Sequence, residues 1–326
     1  MRIWLIKIGI RALRQGNIMV FLKMLFLLFV AFFAVVSEGF SYFLLGLNRR
    51  QKHLLVNGFK MLTLSGDRGI SRELAVYKIR EKFTTDYIRS LVGKKMTIID
   101  IGANIGYYAL LEANLARKGV VYAFEPDRGN YQILQRNILL NKLQNIVLLP
   151  LAVADSVGEK EFYLYPKRNW SSFNSQIGVS FFDKIKVKTT SLDAFWQKIG
   201  QRQIDLVRMD VEGYEGQIIK GAEKLLNQSK HLTLVIEVHP HLVSRARLKK
   251  MLDNICRAGF SVDAVILEIQ PRYLRYLRYF NSFRQDVGLL PFGKLSKEFS
   301  NFDSLEKILI KMSQGFYYYP CVVFKK

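Results

Sequence analysis

Alternation of short apolar strands with helical stretches constrains the fold of residues 96–240 more than any other feature of the sequence. The strand-like runs are 96–102, 120–126, 145–153, 204–213 and 232–240. Strands that are rich in Val, Ile and Leu and contain few polar residues are typically covered on both faces of a sheet. The pattern therefore predicts an α/β fold with a doubly wound, mostly parallel sheet. Extra strands are predicted at 160–166 and 184–192, and the run 315–326 supplies the final strand of the sheet.

A glycine-rich loop, DIGANIG over residues 100–106, follows the first of these strands. Gly102 and Gly106 allow a tight turn and a close approach of the backbone to a ligand. Glu125 ends the second strand, where a carboxylate can accept hydrogen bonds from ribose hydroxyls and disfavours a 2′-phosphate. Asn104 replaces the middle glycine of a dinucleotide fingerprint, and no phosphate-binding G-K-[ST] sequence occurs in this region. The loop therefore indicates an adenosine-containing cofactor without a pyrophosphate, such as S-adenosylmethionine.

Acidic residues end four of the predicted strands, at the edge of the sheet where such folds bind ligands. These residues are Asp100, Glu125, Asp210 with Glu212, and Glu237, which is followed by His239. Burial of an unpaired carboxylate is costly. We therefore expect a ligand or a charged partner at this edge.

Seven segments of the chain, in this order, resemble the FkbM-type methyltransferase family. They are IIDIGANIGYYALLEANLA, VYAFEPD, RNILLN, LAVADSVGE, TTSLDAF, IDLVRMDVEGYEGQIIKGA and VIEVHP. The stretch ISRELAVYKIR (70–80) also resembles the segment that precedes the first motif in many members. The resemblance covers residues 70–270 and implies a class I, S-adenosylmethionine-dependent enzyme that methylates oxygen. It further implies the seven-stranded sheet of class I methyltransferases.

The resemblance also implies which residues hold the cofactor. They are Asp100, Gly102, Asn104, Gly106, Glu125 and Ala152. The first four would form the loop around the methionine part, Glu125 would hold the ribose, and Ala152 would lie beside the adenine. Position 208 is Arg where the family usually has lysine. The charge is kept, but arginine stays protonated and cannot transfer a proton.

Methyl transfer to a hydroxyl requires in-line geometry and often a base that takes the proton. We expect Asp210 to be that base, with His239 and Glu237 as the next candidates, because their two strands are neighbours in the expected sheet order. The same three side chains can alternatively hold a divalent metal, which we do not favour. His239 can also be an ordinary hydrogen-bonded residue before Pro240.

The net charge of +22 is distributed unevenly along the chain. Residues 1–95 carry 17 Lys and Arg against five Asp and Glu, whereas residues 96–239 carry 17 against 15. Because the part that binds the cofactor is nearly neutral, the charge favours a membrane surface or a lipid-linked substrate over nucleic acid. We expect a small-molecule, glycan or lipid-linked acceptor. The alternatives are an RNA methyltransferase and an inactive cofactor-fold protein that serves as a membrane-tethered binding module.

An apolar run of 19 residues with a single charge, Lys23, occupies positions 18–36. This length can cross a hydrocarbon core, but basic residues flank the run on both sides, which opposes a simple crossing. A deeply embedded helix pair and a helix that packs on the domain or on a second subunit remain open. We predict an N-terminal helical extension over 1–60, which can associate with a membrane through 18–47, and a cytoplasmic methyltransferase domain over 61–326.

Three further features are less specific. The polar loop with Asn169, Trp170, Ser171 and Ser172 either touches the acceptor or is a solvated turn, and we favour the turn. Arginine and tyrosine alternate in residues 271–284, which is typical of a helix that lies over the domain or binds a membrane or nucleic acid. Cys256 and Cys321 are expected to be buried free thiols.

Overall fold

The computed structural model describes residues 2–46, 53–63, 67, 69–175, 180–268, 293–295, 302, 305–306, 309 and 320–326. The helices are α1 (Arg2–Arg14), α2 (Ile18–Gly46), α3 (Ile70–Tyr77), α4 (Lys82–Leu91), α5 (Tyr107–Leu115), α6 (Arg128–Leu140), α7 (Leu192–Lys198), α8 (Glu215–Lys220), α9 (Glu223–Gln228) and α10 (Arg245–Arg257). The strands are β1 (Leu54–Val56), β2 (Phe59–Met61), β3 (Thr97–Ile101), β4 (Val120–Phe124), β5 (Ile146–Leu149), β6 (Ala152–Val153), β7 (Gly158–Leu164), β8 (Asp183–Thr190), β9 (Leu206–Met209), β10 (Thr233–Glu237), β11 (Ser261–Leu267), β12 (Gly293–Leu295) and β13 (Cys321–Lys325). The alternating Arg and Tyr residues of 271–284 lie outside the described residues.

The central sheet has the strand order β12-β11-β13-β10-β9-β3-β4-β5. Each neighbouring pair from β10 to β5 is parallel, whereas β13 is antiparallel to both β10 and β11. The predicted doubly wound, mostly parallel sheet of seven strands is therefore confirmed. The short β12 pairs with β11 and extends the sheet at that edge. The predicted C-terminal strand is also confirmed, as β13.

A second sheet of three strands, in the order β6-β8-β7, adjoins the central sheet. The prediction of one continuous strand over 145–153 is wrong. Its first half is β5 of the central sheet, and its second half is β6, which pairs with β8. Pro150 lies between the two halves, and proline cannot donate the ladder hydrogen bond that a continuous strand would need.

Both faces of the central sheet are covered, which explains why its strands are apolar throughout. Successive side chains of a strand point to opposite faces, and β3 illustrates this clearly. Ile98 packs in a core with Ile88 of α4 and Leu110 of α5. Its neighbour Ile99 packs in the other core, which contains Leu252 of α10. The sheet is thereby packed between two helical layers, which hold the ends of its strands in place.

The N-terminal helices α1 and α2 contact each other, and α2 contacts α3. The turn between them is held by Asn17, whose side-chain oxygen accepts a hydrogen bond from the backbone N–H of Val20 at 3.1 Å. Within the described residues, no helix has both the length and the apolar character needed to span a bilayer. The division of the chain at residue 60 stays a prediction.

Candidate functional site

A cleft opens at the carboxyl ends of β3, β4 and β9, where the fold predicts a ligand site. Its lining combines the backbone of the glycine loop with apolar and polar side chains, as is typical of small-molecule sites. Five of the nine predicted site residues line it: Gly102, Asn104, Glu125, Ala152 and Asp210. The other four, Asp100, Gly106, Glu237 and His239, do not line the cleft.

The glycine loop has the backbone that its sequence predicts. Gly102 has a φ of +80° and Gly106 a φ of +97°, both in the region that favours glycine. A Cβ atom on Gly102 would collide with the carbonyl oxygen of Asp210, and one on Gly106 would collide with Leu134. Two backbone N–H groups of the loop, those of Gly102 and Ala103, donate to the Phe124 carbonyl. Glycine at 102 therefore lets the loop pack directly on the end of β9.

Glu125 is held by the backbone on the floor of the cleft. Its Oε2 accepts a hydrogen bond from the N–H of Asn104 at 2.7 Å, and its Oε1 accepts one from Asp127 at 2.9 Å. The residue is only 4% exposed. Burial, with a smaller contribution from the charge of Asp127, raises the pKa of Glu125 to about 8. The side chain of Asn130 also hydrogen-bonds to this carboxylate, and the remaining acceptor capacity can serve a ligand.

The outer wall of the cleft comes from the loop between β7 and β8. Asn169, Ser171 and Ser172 line the cleft together with Phe173. The prediction of a solvated turn is wrong here, because Ser172 is buried and its backbone exchanges two hydrogen bonds with Tyr163 of β7. The pairing folds the loop back over the cleft. Hydroxyl and amide groups of this loop can therefore reach a polar ligand.

Asp100 supports the loop from beneath and does not line the cleft. It is fully buried and opposes Arg208 directly across the β3–β9 pair. Its Oδ1 accepts a hydrogen bond from Arg208 Nη1 at 2.8 Å, and the guanidinium of Arg208 lies 3.8 Å from the centre of the Tyr108 ring. Burial raises the pKa of Asp100, although Arg208 opposes that shift.

Asp210 joins the cleft to a cluster of buried charges. Its Oδ2 lies 3.6 Å from Arg80 Nη2 and 3.7 Å from Arg208 Nη2. Arg80 also pairs with Glu81 and Glu73. No local pattern singles out Arg80, which precedes the first motif and reaches the site only through the fold. The side chain of Asp210 is 13% exposed and faces the cleft.

His239 is fully buried and is surrounded by carboxylates. Its Nδ1 lies 2.8 Å from Glu215 Oε1, and its Nε2 lies 3.3 Å from Glu212 Oε2. Glu237 Oε1 and Asp210 Oδ1 lie 3.7 and 3.9 Å from Nε2. Burial lowers the pKa of His239, but the carboxylates of Glu212 and Glu215 outweigh it and raise the pKa well above its usual value. The carboxylates therefore favour the imidazolium form of the ring, which cannot accept a proton.

Two of the surrounding glutamates are themselves perturbed. Burial raises the pKa of Glu237 well above its usual value, and it raises that of Glu212 to about 7. Burial therefore favours the neutral form of Glu237. Glu215, the first residue of α8, is not among the predicted site residues. Its contact with His239 was missed because nothing in local spacing links the two positions.

Asp210, Glu237 and His239 each offer one atom that can bind a metal, and these atoms lie within 4.8 Å of one another. A divalent cation accepts such a set of oxygen and nitrogen ligands. However, Arg80 and Arg208 lie close to Asp210, and the imidazolium form of His239 that the surrounding carboxylates favour cannot act as a ligand. The charges around the set therefore disfavour a bound cation.

Residues 100–262 match the methyltransferase FkbM domain family. The 2-O-methyltransferase NoeI of Sinorhizobium fredii is 28% identical over 152 residues, which cover 41% of this chain and 60% of NoeI. The hexuronic acid methyltransferase AglP of Haloferax volcanii is 26% identical over 195 residues, which cover 56% of this chain and 77% of AglP. The chain thus spans about three-fifths of the length of NoeI.

Among solved structures, TYW2 of M. jannaschii in complex with AdoMet is 14% identical, with a TM-score of 0.38 and coverage of 82% of each chain. Trm5b of Pyrococcus abyssi is 12% identical, with a TM-score of 0.42. That comparison covers 85% of this chain and 56% of Trm5b.

Proposed function

Since this chain belongs to the FkbM methyltransferase family, we propose that it transfers a methyl group from S-adenosylmethionine to a hydroxyl of a sugar or another small molecule. The observation that supports this function best is the pair of carboxylates that face one cleft. Glu125 follows β4, next to the glycine loop, and Asp210 follows β9, on the other side of β3. The carboxylate of Glu125 suits the ribose of the cofactor, and that of Asp210 suits the hydroxyl of an acceptor.

The walls of the cleft fit this cofactor in shape and charge. Gly102 and Asn104 bring backbone close to the methionine part, Glu125 accepts hydrogen bonds from the ribose, and Ala152 with Phe124 offers an apolar contact for the adenine. When bound, S-adenosylmethionine supplies an electrophilic methyl group on a positively charged sulfur. A carboxylate wall favours that charge.

We assign the proton acceptor to Asp210. Its Oδ1 is buried and has no hydrogen-bond partner among the described residues, while its Oδ2 faces the two guanidinium groups. As the methyl group passes from the cofactor sulfur to the acceptor oxygen, the C–S bond would break, S-adenosylhomocysteine would leave, and the carboxylate of Asp210 would take the hydroxyl proton. The guanidinium groups of Arg80 and Arg208 hold the carboxylate in place for this step.

His239 and Glu237 are assigned positioning roles. The imidazolium of His239 fixes Glu212 and Glu215 at the ends of β9 and α8. Burial favours the neutral form of Glu237, which carries no free charge to act as a base. The reaction then depends on Asp210 alone for proton removal, and it needs no divalent metal.

The relatives support a sugar as the acceptor. NoeI is a 2-O-methyltransferase and AglP is a hexuronic acid methyltransferase. In this chain, Asn169, Ser171 and Ser172 place amide and hydroxyl groups along the cleft, which suits the many hydroxyls of a sugar. The sugar can be free or linked to a lipid.

We further propose a cytoplasmic location for the domain, with which its two free thiols agree. Cys321 is buried, as predicted, whereas Cys256 is exposed, so the prediction that it is buried is wrong.

A methyl-transfer screen with labelled S-adenosylmethionine tests this proposal. The acceptors are hexuronic acids, neutral sugars, glycolipids and RNA, each assayed with and without a metal chelator. We expect label in a sugar-containing acceptor, at a rate that the chelator does not change. Label in RNA alone, or transfer that the chelator abolishes, would contradict the proposed acceptor or the proposed metal independence, respectively.

A further inference from the structure

The surface of the α1–α2 pair differs from the rest of the molecule. Of the 18 large hydrophobic side chains that are exposed in the described part of the chain, 12 lie on these two helices. They are Ile6, Ile10, Leu13, Ile18, Met19, Leu22, Leu25, Phe26, Phe29, Phe32, Phe33 and Val36. The concentration of exposed apolar groups on one small element marks an interaction surface.

On α1, an apolar stripe and a basic stripe lie side by side. The apolar stripe consists of Ile6, Ile10 and Leu13, and the basic stripe of Lys7, Arg11 and Arg14, all of them exposed. Steps of four and three residues keep each set on one face of a helix. Because the second set follows the first by a single position, the two stripes are adjacent, as in helices that lie at a membrane surface.

On α2, the exposed apolar residues continue along the helix. Ile18, Leu22, Leu25, Phe29, Phe32 and Val36 follow one another in steps of three and four. Eighteen residues of helix are about 27 Å long, so the stripe is far larger than a single contact. The rings of Phe29 and Phe33 pack on each other with their centres 4.7 Å apart.

Charge selects the partner of this surface. The two helices, residues 2–46, contain five Lys and Arg against a single acidic residue, Glu38. A second copy of the chain would place the same positive charges against each other, which opposes association. Nucleic acid would meet the charges but leave the apolar stripes in water. An anionic bilayer satisfies both, because its headgroups attract the basic stripe and its acyl boundary takes up the apolar side chains.

We propose that the α1–α2 surface docks the protein on an anionic lipid bilayer, with both helices lying along the interface. This docking is independent of the methyl-transfer proposal. It would hold the adjoining catalytic domain close to the bilayer.

Vesicle co-sedimentation of the full chain tests this docking, with phosphatidylcholine vesicles that either contain or lack phosphatidylglycerol. We expect binding that is much tighter when phosphatidylglycerol is present. Reversal of the basic stripe (Lys7→Glu, Arg11→Glu, Arg14→Glu) should weaken binding to the anionic vesicles roughly a hundredfold. The pair Phe29→Ser and Phe33→Ser should weaken binding to both kinds of vesicle.

Matched controls change exposed residues outside the helix pair. Leu139→Ser with Val157→Ser removes two exposed apolar side chains, and Lys186→Glu with Lys188→Glu reverses two exposed charges. Neither should alter vesicle binding. Thermal unfolding of each variant confirms that the fold is intact. A full chain that stays in solution with both kinds of vesicle would overturn the proposal. So would a dimer by light scattering that only the Phe29/Phe33 variant abolishes, if the full chain binds no vesicles.

Discussion

The two walls of the cleft hold their carboxylates by different means. On the glycine-loop wall, both oxygens of Glu125 accept hydrogen bonds from backbone N–H groups. On the opposite wall, Asp210 faces the side chains of Arg80 and Arg208. The two backbone N–H groups fix the position of the Glu125 carboxylate, and its pKa is set mainly by burial. Long charged side chains form an electrostatic network in which each group depends on the others.

This difference suits two different tasks. The cofactor is the same in every turnover, so a rigid backbone cradle can be fitted to it. The proposed proton acceptor, Asp210, must meet different acceptors, and it lies in a network of charged side chains with Arg80 and Arg208. Substitutions on the two walls should therefore have separable effects, the first on cofactor binding and the second on catalysis.

The largest effect is expected for Asp210→Asn. If Asp210 takes the hydroxyl proton, the substitution should lower the methyl-transfer rate by roughly 10²- to 10⁴-fold, with little change in the affinity for S-adenosylhomocysteine. Radiometric assays and calorimetry measure the two quantities separately. Asp253→Asn, on the outer helix α10, is the matched control and should leave both unchanged. An Asp210→Asn variant with a normal rate would remove Asp210 from the mechanism.

The next largest effect is expected on stability, when the buried ion pair of Asp100 and Arg208 is broken. Arg208→Met leaves Asp100 buried without its partner, which should cost about 3–5 kcal/mol of unfolding free energy. Arg208→Lys keeps the charge that the family usually has here and should cost much less. Arg89→Met breaks an exposed pair with Asp86 and should cost no more than about 1 kcal/mol. Denaturant unfolding measures all three, and equal losses at positions 208 and 89 would contradict the buried pair.

The smallest effect is a pH dependence of cofactor binding. The pKa of Glu125 is raised to about 8 in the unbound protein. Ribose hydroxyls that donate to its carboxylate favour the ionised form, so binding lowers this pKa and releases a proton below pH 8. Affinity should then rise with pH by up to about tenfold per unit and level off above about pH 8.

Calorimetry in buffers of different ionisation enthalpy measures that proton release. Glu125→Gln should abolish it, while Glu159→Gln, a change at an exposed surface residue, should preserve it. An affinity that does not change between pH 6 and 8 would argue against a contact between the ribose and Glu125.

The same contrast explains what the sequence could predict. The glycine-loop wall is nearly contiguous: a strand, two glycines, a helix start and the acid that ends the next strand. Local patterns therefore located Gly102, Asn104 and Glu125 in the cleft. The strand ends also brought Asp210, Glu237 and His239 together, because neighbouring parallel strands end at one edge.

The network of charged side chains around Asp210 could not be predicted from local sequence patterns. Arg80 and Glu215 are common charged residues, and their partners lie in distant segments that only the fold brings close. The protonation of His239 depends on how many carboxylates surround it, which no spacing encodes. Pairing of Ser172 with Tyr163 likewise turned an apparently solvated loop into a wall of the cleft. The sheet and the residues proposed to bind the cofactor can be predicted from local sequence patterns. The charged residues around Asp210 can be identified only from tertiary contacts.

Calorimetric titration with S-adenosylhomocysteine tests the central claim, that this cleft binds the cofactor through Glu125 and serves the acceptor through Asp210. We predict binding to the wild type, a loss of roughly a hundredfold or more for Glu125→Ala, and nearly unchanged binding for Asp210→Asn. A wild type that does not bind the ligand would contradict the account, as would a Glu125→Ala variant that binds as tightly as the wild type.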